Sequence, residues 1–143
     1  MKLQILWPKE TQIQDNILNN NSIVAKLNYK GTSILFTGDI EEIAEKEILE
    51  EYKNNTTLQA TIIKVAHHGS KSSSIQAFLE AVKPKVALIG VGKDNKFGHP
   101  NDGVLERLQK LNCKIFRTDL DGEISIAINS KGKISIDKFI MEN

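Results

Sequence analysis

Residues 60–70 of this chain read ATIIKVAHHGS, an apolar run with one lysine that ends in two adjacent histidines, a glycine and a serine. A continuous apolar run of this kind is typical of a strand that is covered on both faces. Polar side chains that follow a buried strand lie in a loop at the edge of the sheet, where α/β proteins place their chemistry. The stretch therefore predicts an internal strand and, directly after it, a candidate functional loop.

Strand and helix patterns alternate on both sides of this stretch. Before it, the spacing of apolar residues predicts a polar loop over 10–21, a helix over 41–52, and strands over 3–7, 22–29 and 33–37. After it, the same criterion predicts helices over 74–82 and from 101 or 102 to 111, and strands over 85–91, 114–117, 123–129 and 133–139. The alternation predicts an α/β (α+β) fold in which residues 1–143 form a single domain, a mixed β-sheet with helices packed on its outside.

The composition is that of an ordinary globular domain. Of the 143 residues, 40% are hydrophobic and 26% are charged, and the formal net charge is +1. A disordered chain is therefore excluded, and no bulk field draws the chain to nucleic acid or to a membrane surface. The single cysteine, Cys113, excludes an internal disulfide and is expected to be a small buried hydrophobe. The first residues resemble neither a signal sequence nor a membrane span, so a cytoplasmic location is the default expectation.

A first candidate site lies at residues 36–39, FTGD, where a predicted strand ends in a glycine and then presents a carboxylate. The oxygen atoms of Asp39 could bind a divalent cation or bridge two of them. Residues 39–42, DIEE, also read as a capping box for the following helix, and this segment taken alone favours the cap. The two interpretations of Asp39 stay open at the level of sequence.

The second candidate is the loop that follows the central strand. Neutral imidazole is the commonest metal ligand in proteins, and adjacent histidines in a loop can point in different directions. One of His67 and His68 could therefore bind a metal while the other contacts a substrate or supports the metal ligands from outside, and both are candidate metal ligands. Gly69 lets the backbone come close, and the serines from Ser70 onward could cradle an anion. A lone histidine is usually structural. Two of the three histidines of the chain lie here together, which favours a functional role.

The third candidate is the polar loop over 93–100, KDNKFGHP, which holds the remaining histidine, His99. A solvated loop is the alternative interpretation of this segment. Dinucleotide-binding, P-loop and G-x-S-x-G motifs do not occur in the sequence, and Cys113 has no histidine near it. The three loops would open at one edge of the predicted sheet, and metal-assisted hydrolysis is the chemistry that fits them.

Four segments together resemble a known family. Residues 20–24 (NNSIV), 36–41 (FTGDIE), 64–73 (KVAHHGSKSS) and 91–108 (VGKDNKFGHPNDGVLERL) are similar to the carboxy-terminal half of the metallo-β-lactamase-fold hydrolase domain of ComEC-type competence proteins. The resemblance implies half of an αββα sandwich and, in the complete domain, a site for one or two zinc ions. It also implies an extracytoplasmic location if the chain is part of a ComEC-type protein.

The resemblance assigns roles to individual residues. Asp39 corresponds to a metal ligand of the family, and the pair His67 and His68 supplies one metal-binding histidine and one that sits beside it. His99 corresponds to a contact to the substrate or the transition state, so His99 and His68 are the candidate catalytic residues. Three further residues would line the same mouth and bind substrate, namely Ser70, Lys64 and Lys93.

The chain departs from the family in its amino-terminal half. The family motif His-x-(His/Asp)-x-Asp-His does not occur here. A catalytic zinc usually has three protein ligands, so zinc binding by this chain alone is expected to be weak or absent. The expected partner is the missing amino-terminal half-domain or a second copy of the chain. An apolar sheet face is then expected to lack cover, built from Ile23, Leu27, Ile34, Phe36, Ile124 and Ile126.

The resemblance implies a hydrolase that acts on phosphodiester or related ester bonds, with nucleic acid as a candidate substrate and DNA uptake as a candidate role. The alternative function is that of a catalytically incomplete half-domain that acts as an interaction or self-associating module.

Overall fold

The computed structural model describes residues 1–10 and 12–140. Its strands are β1 (Lys2–Trp7), β2 (Val24–Tyr29), β3 (Thr32–Phe36), β4 (Ile62–Lys64), β5 (Val86–Ile89), β6 (Lys114–Arg117), β7 (Glu123–Ile128) and β8 (Ile134–Phe139). Its helices are α1 (Ile17–Asn20), α2 (Glu42–Tyr52), α3 (Gln76–Val82), α4 (Asp102–Lys110) and α5 (Thr118–Asp121), with a 3₁₀ turn at Ala66–Gly69. The predicted strands and helices are present, and most of them are shorter than predicted by one to a few residues. Helix α1 lies inside the segment predicted as a loop over 10–21, and α5 was not predicted.

The main sheet has six strands in the order β1-β2-β3-β4-β5-β6. Strands β1, β2 and β3 pair antiparallel, whereas β3 to β6 pair parallel through α2, α3 and α4. Successive right-handed crossovers that move in one direction across a sheet place their helices on the same face. The predicted mixed sheet with external helices is therefore confirmed.

The core lies between this sheet and its helices. Leu35, Ile63 and Ala87 are register partners on neighbouring strands, and all three are fully buried. They belong to one apolar cluster with residues of the three long helices, among them Ile48, Phe78, Leu79, Val104 and Leu108. Burial of such side chains contributes roughly 1.5–3 kcal/mol each, so this layer fixes the sheet on which the loops are carried.

The second face of the sheet is partly covered by the β7–β8 hairpin. Thr32 donates a hydrogen bond of 3.2 Å to the carbonyl of Gly132 at the tip of the hairpin, and the ammonium of Lys138 lies 5.3 Å from the ring centre of Phe116. The part of this face near β1 remains open. Its exposed apolar strip consists of Leu3, Ile5, Ile23 and Phe36.

The expected uncovered face is thus found in part. Ile23 and Phe36 are exposed, while Leu27, Ile34, Ile124 and Ile126 are half-buried. The last two residues lie on β7, which pairs only with β8 and does not join the main sheet. The expectation of one continuous sheet was wrong here, because α5 and a left-handed Gly122 turn the chain away after β6.

A buried carboxylate, Glu45 of α2, holds the loop before α3. It accepts hydrogen bonds from the backbone N–H groups of Ser74 (2.5 Å) and Ile75 (2.8 Å). Arg107 of α4 donates to the carbonyls of Ser73 and Ser74 from the other side. Burial raises the pKa of Glu45 to about 7, although the two N–H groups and Arg107 oppose that shift. The serine-rich loop is therefore clamped between two helices.

We expect Glu45 to make folding stability depend on pH. Its pKa in the folded chain lies above the ordinary value of 4.5, so the folded state binds the proton more tightly than the unfolded state does. This contribution to the free energy of unfolding is at most about 3 kcal/mol. It is fully present below about pH 4.5 and is lost as the pH rises to about 7. Urea unfolding at pH 5 and pH 8 of the native chain and of Glu45→Gln measures it. An identical pH dependence in both proteins would contradict the prediction.

Candidate functional site

Three loops meet at the carboxyl ends of the parallel strands β3, β4 and β5. The backbone N–H of His67 donates to the carbonyl of Gly38 at 3.1 Å, and the N–H of Asn101 donates to the carbonyl of Gly69 at 2.9 Å. The hydroxyl of Thr37 donates to the carbonyl of Lys64 at 2.5 Å. These bonds join the three loops that the sequence singled out, so the predicted convergence at one sheet edge is observed.

The histidine loop has an unusual backbone. His67, His68 and Gly69 have φ values of 47°, 54° and 81°, three left-handed residues in succession. For residues other than glycine this conformation costs free energy and persists only where the surroundings enforce it. The bond from His67 to Gly38 and the close approach of Pro100 to Gly69 provide that enforcement. Strain of this kind is concentrated at functional sites.

His68 lies between the backbone of Gly90 and the carboxylate of Asp39. Its Nδ1 lies 2.5 Å from the carbonyl oxygen of Gly90. Because a carbonyl can only accept, Nδ1 carries the hydrogen and Nε2 keeps a free lone pair. That Nε2 lies 3.7 Å from Oδ1 of Asp39, and both side chains are about half exposed. One zinc ion with bonds of about 2.0–2.2 Å can reach both atoms across this separation.

His67 faces a different partner. Its Nδ1 lies 3.2 Å from Oε1 of Glu41. Glu41 also accepts hydrogen bonds of 2.9 Å from the side chains of Asn16 and Ser72. Burial pushes the pKa of Glu41 upward, but these hydrogen bonds and the charge of His67 lower it below its ordinary value. The ionised carboxylate of Glu41 therefore lies within ion-pair distance of His67, although Nδ1 of His67 makes no hydrogen bond in the described structure.

Sequence reasoning gave Glu41 no role. The residue lies in the FTGDIE segment two positions after Asp39, and this position was the one available signal.

His99, from the loop over 93–100, lies beside His67 at the site. Its ring centre lies 5.8 Å from that of His67 in an edge-on arrangement. Burial, and then the charges of His67 and His68, lower the pKa of His99. The imidazole is therefore neutral at neutral pH, so that one ring nitrogen donates a hydrogen bond and the other accepts one.

The predicted substrate-binding residues lie around this edge in different settings. Ser70 is buried, and its hydroxyl lies 3.0 Å from that of Ser72, so it is engaged within the protein. Lys64 is half-buried and donates to the carbonyl of Val65 at 3.0 Å. Burial lowers the pKa of Lys64, and the charge of Asp39 opposes that shift. Lys93 is exposed in the loop after β5. Contact of these three residues with substrate stays a prediction.

The capping interpretation of Asp39 was wrong. Helix α2 begins at Glu42 with Glu41 as its N-cap residue, so Asp39 lies two residues too early. The first backbone N–H of the helix, that of Glu42, donates instead to the carbonyl of Ser72 at 2.8 Å. The serine loop thus satisfies the helix end, and the carboxylate of Asp39 is left to face His68.

The donors present do not fit a complete zinc site. Across residues 1–10 and 12–140, no group of three or more histidine, cysteine, aspartate or glutamate side chains is placed to hold an ion. Asp39 and His68 offer donor types that zinc uses, but a catalytic zinc takes three protein ligands. The described residues therefore place two donors of suitable type side by side and do not form a complete zinc site. None of the helices described within those same ranges has the length and hydropathy of a membrane span.

Sequence comparison identifies the family. A family model described as the metallo-β-lactamase superfamily matches residues 6–93, which is more than half of the chain. The chain belongs to the metallo-β-lactamase superfamily. The mixed sheet with helices on one face is consistent with this fold, and the match includes Asp39, His67 and His68.

Within the superfamily the chain is similar to competence proteins. It is 39% identical over 106 residues to ComE operon protein 3 of Bacillus subtilis (strain 168), covering 74% of this chain and 13% of that protein. It is 32% identical over 129 residues to competence protein ComA of Neisseria gonorrhoeae, covering 90% and 18%. Recombination protein 2 of Haemophilus influenzae is 29% identical over 126 residues, covering 88% and 15%. This is a ComEC-type metallo-β-lactamase-fold domain, and the chain spans less than a fifth of each of these relatives.

A substitution of Gly69 tests whether the loops need their close approach. A Cβ atom at this position would lie 2.6 Å from Cβ of Pro100, and φ there is +81°. Gly69→Ala is therefore expected to lower the free energy of unfolding by about 1–3 kcal/mol. Gly92→Ala is the matched control in a neighbouring loop, because a Cβ there has no neighbour within 4 Å, and its effect should stay within about 0.5 kcal/mol. Equal effects of the two substitutions in urea unfolding would contradict the account.

Proposed function

We propose that this chain is the carboxy-terminal half of a metal-dependent hydrolase domain that cleaves phosphodiester or related ester bonds. The observation that carries the proposal is the pairing of Asp39 with His68 across 3.7 Å, with Nδ1 of His68 bonded to the carbonyl of Gly90. This arrangement leaves two suitable donors side by side at an open sheet edge. Asp39 does not cap helix α2, so its carboxylate is available for this pairing.

The relatives suggest the substrate class. Two of them are named a ComE operon protein and a competence protein, and a third is named a recombination protein. Nucleic acid is therefore the proposed substrate, and DNA uptake is the proposed context. The superfamily supports zinc as the metal, with one or two ions in the complete domain.

Residues of this chain have distinct proposed roles around the scissile ester. His99, neutral because its pKa is lowered, would hydrogen-bond an oxygen of the substrate. The ammonium groups of Lys64 and Lys93 would attract the phosphate charge. Glu41 would keep His67 in a fixed orientation beside the metal ligands. Ser70 would act through the buried hydroxyl network that links it to Ser72 and Glu41.

The missing ligands are proposed to come from the amino-terminal half of the domain. The exposed apolar strip of Leu3, Ile5, Ile23 and Phe36 borders the loop that carries Asp39 and would be covered by that half. The same strip supports the second candidate function, a self-associating or interaction module. In that case the metal site would be incomplete, and only the apolar strip would contribute to the function of the chain.

Substitution of Asp39 or His68 in a protein that joins this chain to the proposed amino-terminal half-domain, called here the longer protein, tests the hydrolase proposal. Each of Asp39→Ala and His68→Ala is expected to lower phosphodiester cleavage and zinc affinity by more than about 100-fold, because even outer-shell partners of a metal contribute 10- to 100-fold. Asp94→Ala, which removes an exposed carboxylate in the loop after β5, is the control and should keep both properties. Cleavage of a fluorescent oligonucleotide and zinc content after dialysis are the measurements.

Two outcomes would contradict the proposal. Zinc content and cleavage that persist in both variants would mean that Asp39 and His68 do not bind the metal. A native longer protein that retains no zinc and cleaves no phosphodiester, but self-associates through the apolar strip, would establish the interaction module instead.

A further inference from the structure

We propose that Phe97 and the cavity beside it form a nucleobase-binding subsite, which takes an unpaired base of a single-stranded nucleic acid. This inference rests on the proposed function, because it names the substrate class of the same site. It is carried by the exposure of Phe97, by the cavity, by the fixed geometry of the loop and by the charges around it.

The aromatic ring of Phe97 is presented to solvent. The residue is 81% exposed, more than any other aromatic residue in the described part of the chain. It lies in the loop between β5 and α4, directly before Gly98 and His99. Phe97 lies outside the apolar core cluster, so its ring is available to a ligand at the mouth of the site.

A cavity of about 370 Å³ connects this ring to the candidate metal ligands. Phe97, His99 and His68 line it, together with Asn95 and the backbone of residues 90–92. Its volume lies in the range of small-molecule pockets. His68 is shared by the cavity and by the pair with Asp39. A nucleotide whose phosphate lies at that pair would therefore place its sugar in the cavity and bring its base to the ring of Phe97.

Asn95 holds the backbone of the loop around Phe97. The side chain of Asn95 donates to the carbonyls of Gly92 (3.1 Å) and His99 (2.9 Å), and it accepts the N–H of His99 (3.0 Å). The rings of Phe97 and His99 are nearly parallel, at 22°, with centres 5.9 Å apart. This spacing leaves no room for a base between the two rings. The outer face of Phe97 is therefore the stacking surface.

The charges beside Phe97 suit a nucleic acid strand. Lys96 precedes the ring directly, Lys93 lies in the same loop and both are exposed, whereas Asp94 is the only opposing charge of the 93–100 loop. Stacking on an aromatic ring is sequence-tolerant because every base has an aromatic face, and lysines follow the phosphates. A base inside a duplex is already stacked, so this surface selects unpaired bases. A phosphoester without an aromatic group would gain nothing from Phe97.

Oligonucleotide binding without added metal tests the subsite. The probe is a fluorescent oligothymidylate, compared with an abasic strand that carries the same number of phosphates. Phe97→Ala is expected to weaken binding of the oligothymidylate about 5- to 100-fold, since one base–aromatic stack contributes at that level. Binding of the abasic strand should not change. Phe97→Trp should restore base binding, and its indole fluorescence should be quenched by the oligothymidylate.

The control variant is Phe139→Ala, which removes another exposed aromatic ring, on β8. It should bind both strands as the native chain does. If Phe97→Ala binds the oligothymidylate as the native chain does, or loses both strands equally, the subsite is wrong. Loss of zinc and cleavage in Asp39→Ala would still support the hydrolase. If Asp39→Ala keeps zinc binding while Phe97→Ala loses base binding, the subsite stands and the hydrolase proposal fails.

Discussion

The register of the three parallel strands is the constraint on which the site depends. Phe36, Lys64 and Leu88 are partners across β3, β4 and β5, so the three strands end at the same level. The loops that follow begin side by side, and the bond from the His67 N–H to the Gly38 carbonyl joins two of them. A shift of one residue in any strand would turn its side chains to the other face and move its loop away from the others.

Much of the fold and part of the site could be predicted from sequence. Strand β6 has the predicted bounds, and the hairpin of β2 and β3 follows from alternating apolar residues around a turn at Lys30 and Gly31. The separation of the β7–β8 pair from the main sheet could not be predicted, because alternation around a turn at Lys131 and Gly132 indicates two strands without showing which sheet they join. The burial of Glu45 could not be predicted either. Its burial depends on N–H groups and an arginine from distant segments.

For the candidate site too, some features could be predicted from sequence and others could not. The positions of Asp39 and His68 at strand ends follow from local patterns, but which histidine faces the carboxylate depends on the left-handed backbone of residues 67–69. His68 meets Asp39, whereas His67 meets Glu41. The chain thus supplies two donor side chains, Asp39 and His68, and the hydrogen bonds that support them. Membership of the superfamily is the reason to look for further donors outside this chain.

Anomalous diffraction at the zinc edge, from zinc-loaded crystals of the longer protein, tests the central claim most directly. The account predicts one peak bonded to both Oδ1 of Asp39 and Nε2 of His68, at about 2.0–2.2 Å from each atom. A zinc peak bound by other residues, with these two side chains turned away from it, would contradict the account.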